Sequence, residues 1–197
     1  MLFEFQSQVA LLTGMEVANA SLYDGATALA EAAVLALRAT ERPKLVVAGT
    51  LHPQYRGTLA TYLGGTKTEI VQLTMNKGVI DLDQAKRSCD SKAAALIVQT
   101  PNAFGSLEPV KELEKIAHRV GALFTVVVNP ISLGVLEAPG AYGADMVVGE
   151  GQPLGTDLQY GGPYLGLFAC SKALMRKVPG RIVGMTQDRH GRRGFVL

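Results

Sequence analysis

The sequence predicts an α/β protein of three layers, in which a mainly parallel sheet carries helices on both faces. Short segments made only of apolar residues recur along the chain, as is typical of strands that are buried on both faces. Segments with helical spacing of apolar residues separate these strands. No repeat, low-complexity segment or change of composition interrupts the 197 residues. We therefore expect residues 1–197 to form a single domain.

Five segments are predicted helices. Apolar residues at roughly helical spacing predict the first over residues 2–13, and Gly14 supplies its end. The second begins near Asp24 and is rich in alanine with almost no polar side, so we expect it to be buried. A third follows Pro53, a fourth is the acid-started stretch "IDLDQAKRSCD", and the fifth, in "LEPVKELEKIAHRVG", is closed by Gly121.

Continuous apolar runs predict the strands. In an open parallel sheet, ligands bind beyond the carboxyl ends of the strands, so the loops that follow the strands are where a site is expected. The longest run, residues 122–128, is far too short to cross a membrane. The predicted strands are residues 44–49, 68–73, 94–99, 122–128, 144–149 and 164–169.

Charge, cysteine content and motifs exclude several classes of protein. The formal net charge of +2 is too small to indicate nucleic-acid binding, and the short basic stretch at residues 189–193 is typical of a solvated loop. Cys89 and Cys170 are far apart and show no zinc-ligand spacing. The first residues lack the basic region of a secretory signal, and no phosphate-binding glycine loop or nucleophile elbow is present. We expect a cytoplasmic protein without metal, nucleic acid or membrane as partners.

The loop "SLYDGATA" enters the second helix and has two interpretations. Backbone N–H groups at a helix start bind phosphate, with Thr27 as a further donor. Alternatively, Asp24 caps the helix, and its carboxylate would then repel phosphate. The residue types favour the cap.

Three further loops contain candidate residues. His52, in "GTLHPQY", follows a strand and could stack on a ring or act as a base, or be only a polar loop residue. Asn102, in "QTPNAFGS", could bind a ligand or satisfy its own turn. Asn129 follows the strand at 122–128. His118 lies near a helix end, where the dipole favours a charged imidazole.

Long stretches of the chain resemble one family. They are "LTGMEVANASLYDGATALAEAA", "LHPQYRGTLATYL", "QTPNAFGSLEP", "GALFTVVVNPISLGVLEAPGAYGADMVVGEGQPLG", "YGGPYLGLFA" and "MRKVPGRIVGMTQDRHGRRGFVL". Together they are similar to the glycine cleavage system P-protein family, and within it to alpha chains, subunit 1 of the two-subunit form. The resemblance implies the large domain of fold type I pyridoxal-phosphate enzymes. Alpha chains are longer at both ends, so it also implies a central part of such a chain.

The family's chemistry requires a lysine for a Schiff base and an acid near the pyridine nitrogen. By the resemblance, Val127 occupies the acid position and the lysine position falls at or beside Pro153. No Lys or Arg lies between Arg119 and Lys172. The resemblance therefore implies a pocket that has lost its chemical groups, with Thr27, His52, Asn102 and Asn129 as its vestigial lining.

The implied function is that of a subunit. With a beta-type chain that holds pyridoxal phosphate, in a heterodimer or heterotetramer, it would decarboxylate glycine and pass the aminomethyl group to the lipoyl arm of the H-protein. A catalytically inactive structural module is the alternative, and an independent nucleotide-binding domain a third. In a shortened chain we also expect the alanine-rich helix to lack its cover.

Overall fold

The computed structural model describes residues 1–197 and contains five α-helices and eleven strands. The helices are α1 (Leu2–Thr13), α2 (Gly25–Thr40), α3 (Pro53–Leu63), α4 (Leu82–Ser88) and α5 (Val110–Arg119). The strands are β1 (Val17–Ala18), β2 (Lys44–Ala48), β3 (Glu69–Leu73), β4 (Met75–Asn76), β5 (Val79–Ile80), β6 (Ala93–Gln99), β7 (Leu123–Val128), β8 (Met146–Glu150), β9 (Gly166–Cys170), β10 (Gly184–Gln187) and β11 (Arg193–Val196). Each predicted helix and strand is present, with ends shifted by up to a few residues.

Seven strands form one sheet in the order β1-β9-β8-β7-β6-β2-β3. The five strands from β8 to β3 are parallel to one another, whereas β9 pairs antiparallel with both β8 and β1 at one edge. The central strands are buried along nearly their whole length, because helices cover both faces. The predicted mainly parallel sheet is confirmed.

The helices lie in two layers. α2 packs against β8 and β9 and against α3, and α5 packs against β6 and β7 and contacts α4. The chain moves in one direction along the sheet from β2 to β3 and in the other from β3 through β6 to β7. Since parallel crossovers are right-handed, α3 lies on one face and α4 and α5 on the other. The three-layer arrangement follows from this order.

Helix α2 lies in the core. Its small side chains allow close approach to the sheet, and Ala28, Leu29, Ala32, Ala33 and Ala36 are fully buried within this chain. The expectation that α2 lacks cover is therefore wrong, because β8, β9 and α3 cover it. With 16 residues it is the longest helix, and no helix combines the length and apolar character needed to span a bilayer.

The sequence does not predict the two hairpins or strand β1. The β4–β5 pair and the β10–β11 pair have no alternation that marks them as strands. The second hairpin is tied to α1 through Gln6, whose amide oxygen accepts from the Val183 N–H (2.8 Å) and whose amide nitrogen donates to the Val183 carbonyl (3.1 Å). A buried side chain here makes the two bonds that a neighbouring strand would make.

His118 joins α5 to the start of β8. Its Nδ1 lies 2.6 Å from Glu114 Oε1 and its Nε2 lies 2.8 Å from Asp145 Oδ2. Partial burial of the ring lowers its pKa, but the hydrogen bonds and charges of Asp145 and Glu114 outweigh that effect, so the pKa is raised above its ordinary value of 6.5. The charged imidazole is thus stabilised in the folded chain.

We expect His118→Gln to change the pH dependence of stability. Because the pKa is raised on folding, the His118 contribution is fully present below the ordinary value and is lost as pH rises through the folded value. The melting temperature of the variant should therefore lie below that of the parent at about pH 6, and the two should converge by about pH 9. His190→Gln, at an exposed histidine, is the control. A constant difference across this range would contradict the assignment.

Candidate functional site

The predicted site residues lie at the carboxyl edge of the sheet, which we define as the edge where β2, β6, β7 and β8 end. His52 follows β2, Asn102 follows β6 and Asn129 follows β7. Helix α2 begins at the same edge, because the Gly25 N–H contacts Glu150 at the end of β8. The topology thus gathers four separate segments in one place.

The start of α2 is closed by a capping box. Asp24 Oδ1 accepts from the N–H groups of Ala26 (2.8 Å) and Thr27 (2.9 Å), and the Thr27 hydroxyl accepts from the Asp24 N–H (3.2 Å). These are the bonds of an N-cap rather than of a phosphate site. Thr27 is a predicted cofactor ligand, but its hydroxyl already bonds to Asp24.

The remaining N–H group at this helix start is bound by Glu150. Its Oε2 accepts from the Gly25 N–H, and its Oε1 accepts from the Gln152 and Leu165 N–H groups, each at 2.9 Å. No salt bridge involves Glu150. Reasoning from the sequence missed this residue, since a glutamate at a strand end has no motif; its only signal was its place before the glycine turn "GQPLG".

Two glycines make this packing possible. A Cβ at Gly25 would overlap the Tyr55 hydroxyl and approach the Glu150 nitrogen to 2.7 Å, and a Cβ at Gly166 would lie 2.5 Å from the Asp24 carbonyl oxygen. Burial raises the pKa of Tyr55, and the charges of Glu150 and then Asp24 raise it further. Tyr55 is therefore a neutral hydroxyl beside two carboxylates.

Asn102 is engaged by its own loop. Its amide nitrogen donates to the Gly78 carbonyl and to Glu108 Oε1, both at 2.8 Å, and its amide oxygen accepts from the N–H groups of Phe104 (3.0 Å) and Ser106 (3.1 Å). Two donors and two acceptor positions are all that an asparagine side chain has. The geometry therefore matches the structural alternative, in which Asn102 satisfies the turn.

Glu108 is the buried centre of this cluster. Only 5% of it is exposed, and it has no cationic partner. Its carboxylate accepts from the Thr50 hydroxyl (2.6 Å), the Asn102 amide (2.8 Å) and the Ile80 N–H (2.8 Å). These donors come from the segments after β2, after β6 and in β5, so one carboxylate fixes three loops.

His52 and Asn129 are exposed at the same edge. His52 caps α3, its Nδ1 accepting from the Gln54 N–H at 3.3 Å, and its ring meets that of Tyr55 edge-on with centroids 6.1 Å apart. The Nε2 atom makes no hydrogen bond within the chain. Asn129 Oδ1 accepts from the Ile131 N–H at 3.0 Å. Among the four predicted lining residues, His52 therefore has a ring nitrogen that is free to bind a ligand.

The residues present do not fit a pyridoxal phosphate group. Val127 is 2% exposed in the middle of the sheet, flanked by Gln99 of β6 and Val148 of β8, so no acid is available there for a pyridinium. Pro153 lies in the short 3₁₀ turn Gln152–Leu154 and has no amine. The N–H groups at the start of α2 already bind carboxylates.

Metal and thiol chemistry have no evident place in the chain. No three His, Cys, Asp or Glu side chains are grouped in a way that could hold a metal ion. Burial raises the pKa of the Cys89 thiol to about 11 and that of the Cys170 thiol to about 12. Both cysteines are free and buried, so they pack as small apolar residues.

Large apolar side chains are exposed along the loops of the carboxyl edge. Tyr23 is 87% exposed and Leu158 is 84% exposed. Many large apolar side chains exposed in the loops of one edge are typical of a protein-binding face. We call these residues the apolar loop surface: Tyr23, Phe104, Leu107, Ile131, Val135, Leu154, Leu158, Tyr160 and Tyr164.

Comparisons with known proteins give the same family over the whole chain. Residues 1–197 match the family described as glycine cleavage system P-protein. The chain is 54% identical to the probable glycine dehydrogenase (decarboxylating) subunit 1 of Desulforamulus reducens and 49% identical to that of Carboxydothermus hydrogenoformans. In both cases the match covers 100% of this chain and 44% of the relative. The chain thus spans less than half the length of these relatives.

Solved structures agree. A glycine decarboxylase (P-protein) of the glycine cleavage system, crystallised in inhibitor-bound form, superimposes with a TM-score of 0.94 at 46% identity, over 99% of this chain and 44% of that one. A sphingosine-1-phosphate lyase from Burkholderia pseudomallei superimposes with a TM-score of 0.71 at 16% identity, over 99% of this chain and 49% of that one. The second match shows the shared fold alone.

We expect Glu108→Gln to destabilise the chain strongly. The substitution keeps the shape but removes the charge, and it places an NH₂ group among donors that need an acceptor. Losing charge-assisted hydrogen bonds at a buried site costs about 2–3 kcal/mol. Glu137→Gln, at an exposed ion pair with Lys111, should cost less than about 1 kcal/mol. Urea unfolding of both variants checks this, and equal costs would contradict a central role for Glu108.

Proposed function

The chain belongs to the glycine cleavage system P-protein family, and we propose that it acts as the alpha-type component of a glycine decarboxylase whose cofactor is held by another subunit. With a beta-type chain it decarboxylates glycine and passes the aminomethyl group to the lipoyl group of the H-protein. The support is a relative named subunit 1 of glycine dehydrogenase (decarboxylating) at 54% identity. We place the complex in the cytoplasm, with two free cysteines in keeping with a reducing compartment.

The absence of a lysine carries this proposal: by the resemblance, the Schiff-base position of the family falls at or beside Pro153. Pro153 offers no amine, and no lysine lies between Arg119 and Lys172. By the same resemblance, Val127, which is buried, occupies the position of the acid that a pyridinium needs. A chain of this family that is built in this way requires a second polypeptide for the chemical step.

The apolar loop surface is where we propose that the beta-type chain docks. It surrounds the carboxyl edge, so a partner on it would bring its own groups next to His52 and Tyr55. Its tyrosine and phenylalanine side chains are of the kinds that are enriched in protein interfaces. In the complex, this chain closes one side of the substrate channel and keeps water from it. Both a heterodimer and a heterotetramer of two heterodimers would contain this contact between the two chains.

Co-expression with a lysine-bearing beta-type subunit tests the proposal. We expect a stable complex with glycine-dependent carbon dioxide exchange, no exchange by the isolated chain, and no borohydride-reducible pyridoxal phosphate adduct within residues 143–171. Tyr160→Asp should weaken the complex at least about tenfold, since it places a charge in an apolar interface, while Tyr62→Asp on α3 should not. Exchange by the chain alone would exclude the proposal.

A purely structural role is the second candidate, favoured by the internal hydrogen bonds that engage Asn102, Glu108 and Glu150. His52 separates the two functions, because its Nε2 is free and its loss leaves the core intact. If this chain shapes the substrate channel, His52→Asn, which keeps a helix-capping side chain, lowers glycine exchange of the complex at least about tenfold with the melting temperature of the complex unchanged. Unchanged exchange would leave only the scaffold role.

A further inference from the structure

We propose that the start of α2 is an anion site whose occupant is the chain's own Glu150 carboxylate, and that this tethered anion excludes phosphate groups. This inference rests on the proposed function, in which another subunit holds the phosphorylated cofactor. It gives a physical reason why this chain does not. Glu150 then determines which anions bind at the start of α2, because its carboxylate occupies the position that a phosphate group would need.

The donors around Glu150 are arranged as for a bound anion. Three backbone N–H groups, from Gly25, Gln152 and Leu165, point at its two oxygens, each at 2.9 Å. They come from three segments: the first residue of α2, the 3₁₀ turn after β8, and the residue before β9. Converging N–H groups at a helix start bind phosphate, sulfate or carboxylate ions.

No cation neutralises this carboxylate. Glu150 takes part in no salt bridge, and, besides burial, its charge and that of Asp24 raise the pKa of the nearby Tyr55 hydroxyl. Its charge is therefore stabilised by the three N–H groups and by the positive end of the helix dipole. A side chain held in this way plays the part of a ligand anion.

Asp24 also disfavours the binding of phosphate at the start of α2. Its carboxylate holds the next two N–H groups, those of Ala26 and Thr27, so every N–H group from Gly25 to Thr27 has an acceptor from the chain itself. A phosphate dianion brought to this place would find no free donor and would meet two negative charges. The Tyr55 hydroxyl also packs against Gly25, where a Cβ would overlap it.

Removing the tether should turn the occupied place into a binding site. Glu150→Ala leaves three N–H groups without an acceptor, and we expect its melting temperature to fall by about 4–10 °C. Acetate supplies the missing carboxylate. At about 0.1 M, sodium acetate should restore at least half of the loss in Glu150→Ala relative to sodium chloride at equal ionic strength. Acetate should not change the melting temperature of the parent chain.

Two further variants serve as controls. Glu137→Ala removes an exposed carboxylate that is paired with Lys111, and acetate should leave it unchanged. Glu150→Gln keeps the volume of the side chain, so its place remains filled and acetate should not stabilise it. If Glu150→Ala does not fold in chloride, its refolding yield in acetate and in chloride is compared instead. Equal effects of acetate and chloride on Glu150→Ala would overturn the proposal.

Inorganic phosphate tests the exclusion. Phosphate should not stabilise the parent chain, and it should stabilise Glu150→Ala less than acetate does, because Asp24 remains charged. In Glu150→Ala/Asp24→Asn, which keeps a capping side chain, phosphate should raise the melting temperature. Stabilisation of the parent chain by phosphate would overturn the exclusion, as would an absence of any phosphate effect in the double variant. These measurements use the isolated chain, so their outcome is independent of whether the complex turns over glycine.

Discussion

The carboxyl edge of the sheet depends on two carboxylates, Glu108 and Glu150, that are held by hydrogen bonds and not by cations. Glu108 accepts from the segments after β2, in β5 and after β6. Glu150 accepts from α2, from the turn after β8 and from the approach to β9. Each gathers N–H or O–H groups that would otherwise lack partners at a place where loops leave the sheet. An unsatisfied buried donor costs more than a typical hydrogen bond contributes. The observed arrangement of the loops is therefore favoured over arrangements that leave one of these donors unpaired.

The sheet and its helices were predictable because the driving force is local in the sequence. Runs such as "ALIVQ" and "LFTVVV" are apolar on both faces, and only a strand covered on both sides buries them completely. The alanine-rich stretch after Asp24 likewise indicated a buried helix with a cap. β1 and the hairpins were not predictable, because two to four residues carry no period, and long-range partners such as Gln6 and Val183 decide their place.

The candidate site was predicted less well than the fold. The loops were correctly located by the rule for parallel sheets, but side-chain roles depend on partners distant in sequence. The sequence left Asn102 as a plausible ligand-binding residue, whereas in the structure its amide nitrogen donates to the Gly78 carbonyl and to Glu108. Glu150 was missed since its three partners span residues 25–165. The same fold at 16% identity in a lyase and at 46% in a P-protein shows that the scaffold persists while the sequence changes.

The bonds of Gln6 to Val183 join the first helix of the chain to its last hairpin. They hold α1 against the last hairpin, and the Phe3 and Phe195 rings meet with centroids 5.2 Å apart. Two segments that are far apart along the chain therefore lie side by side in space. A P-protein superimposes on 99% of this chain and over 44% of its own length, so the pairing of α1 with the last hairpin lies within the region that the two proteins share.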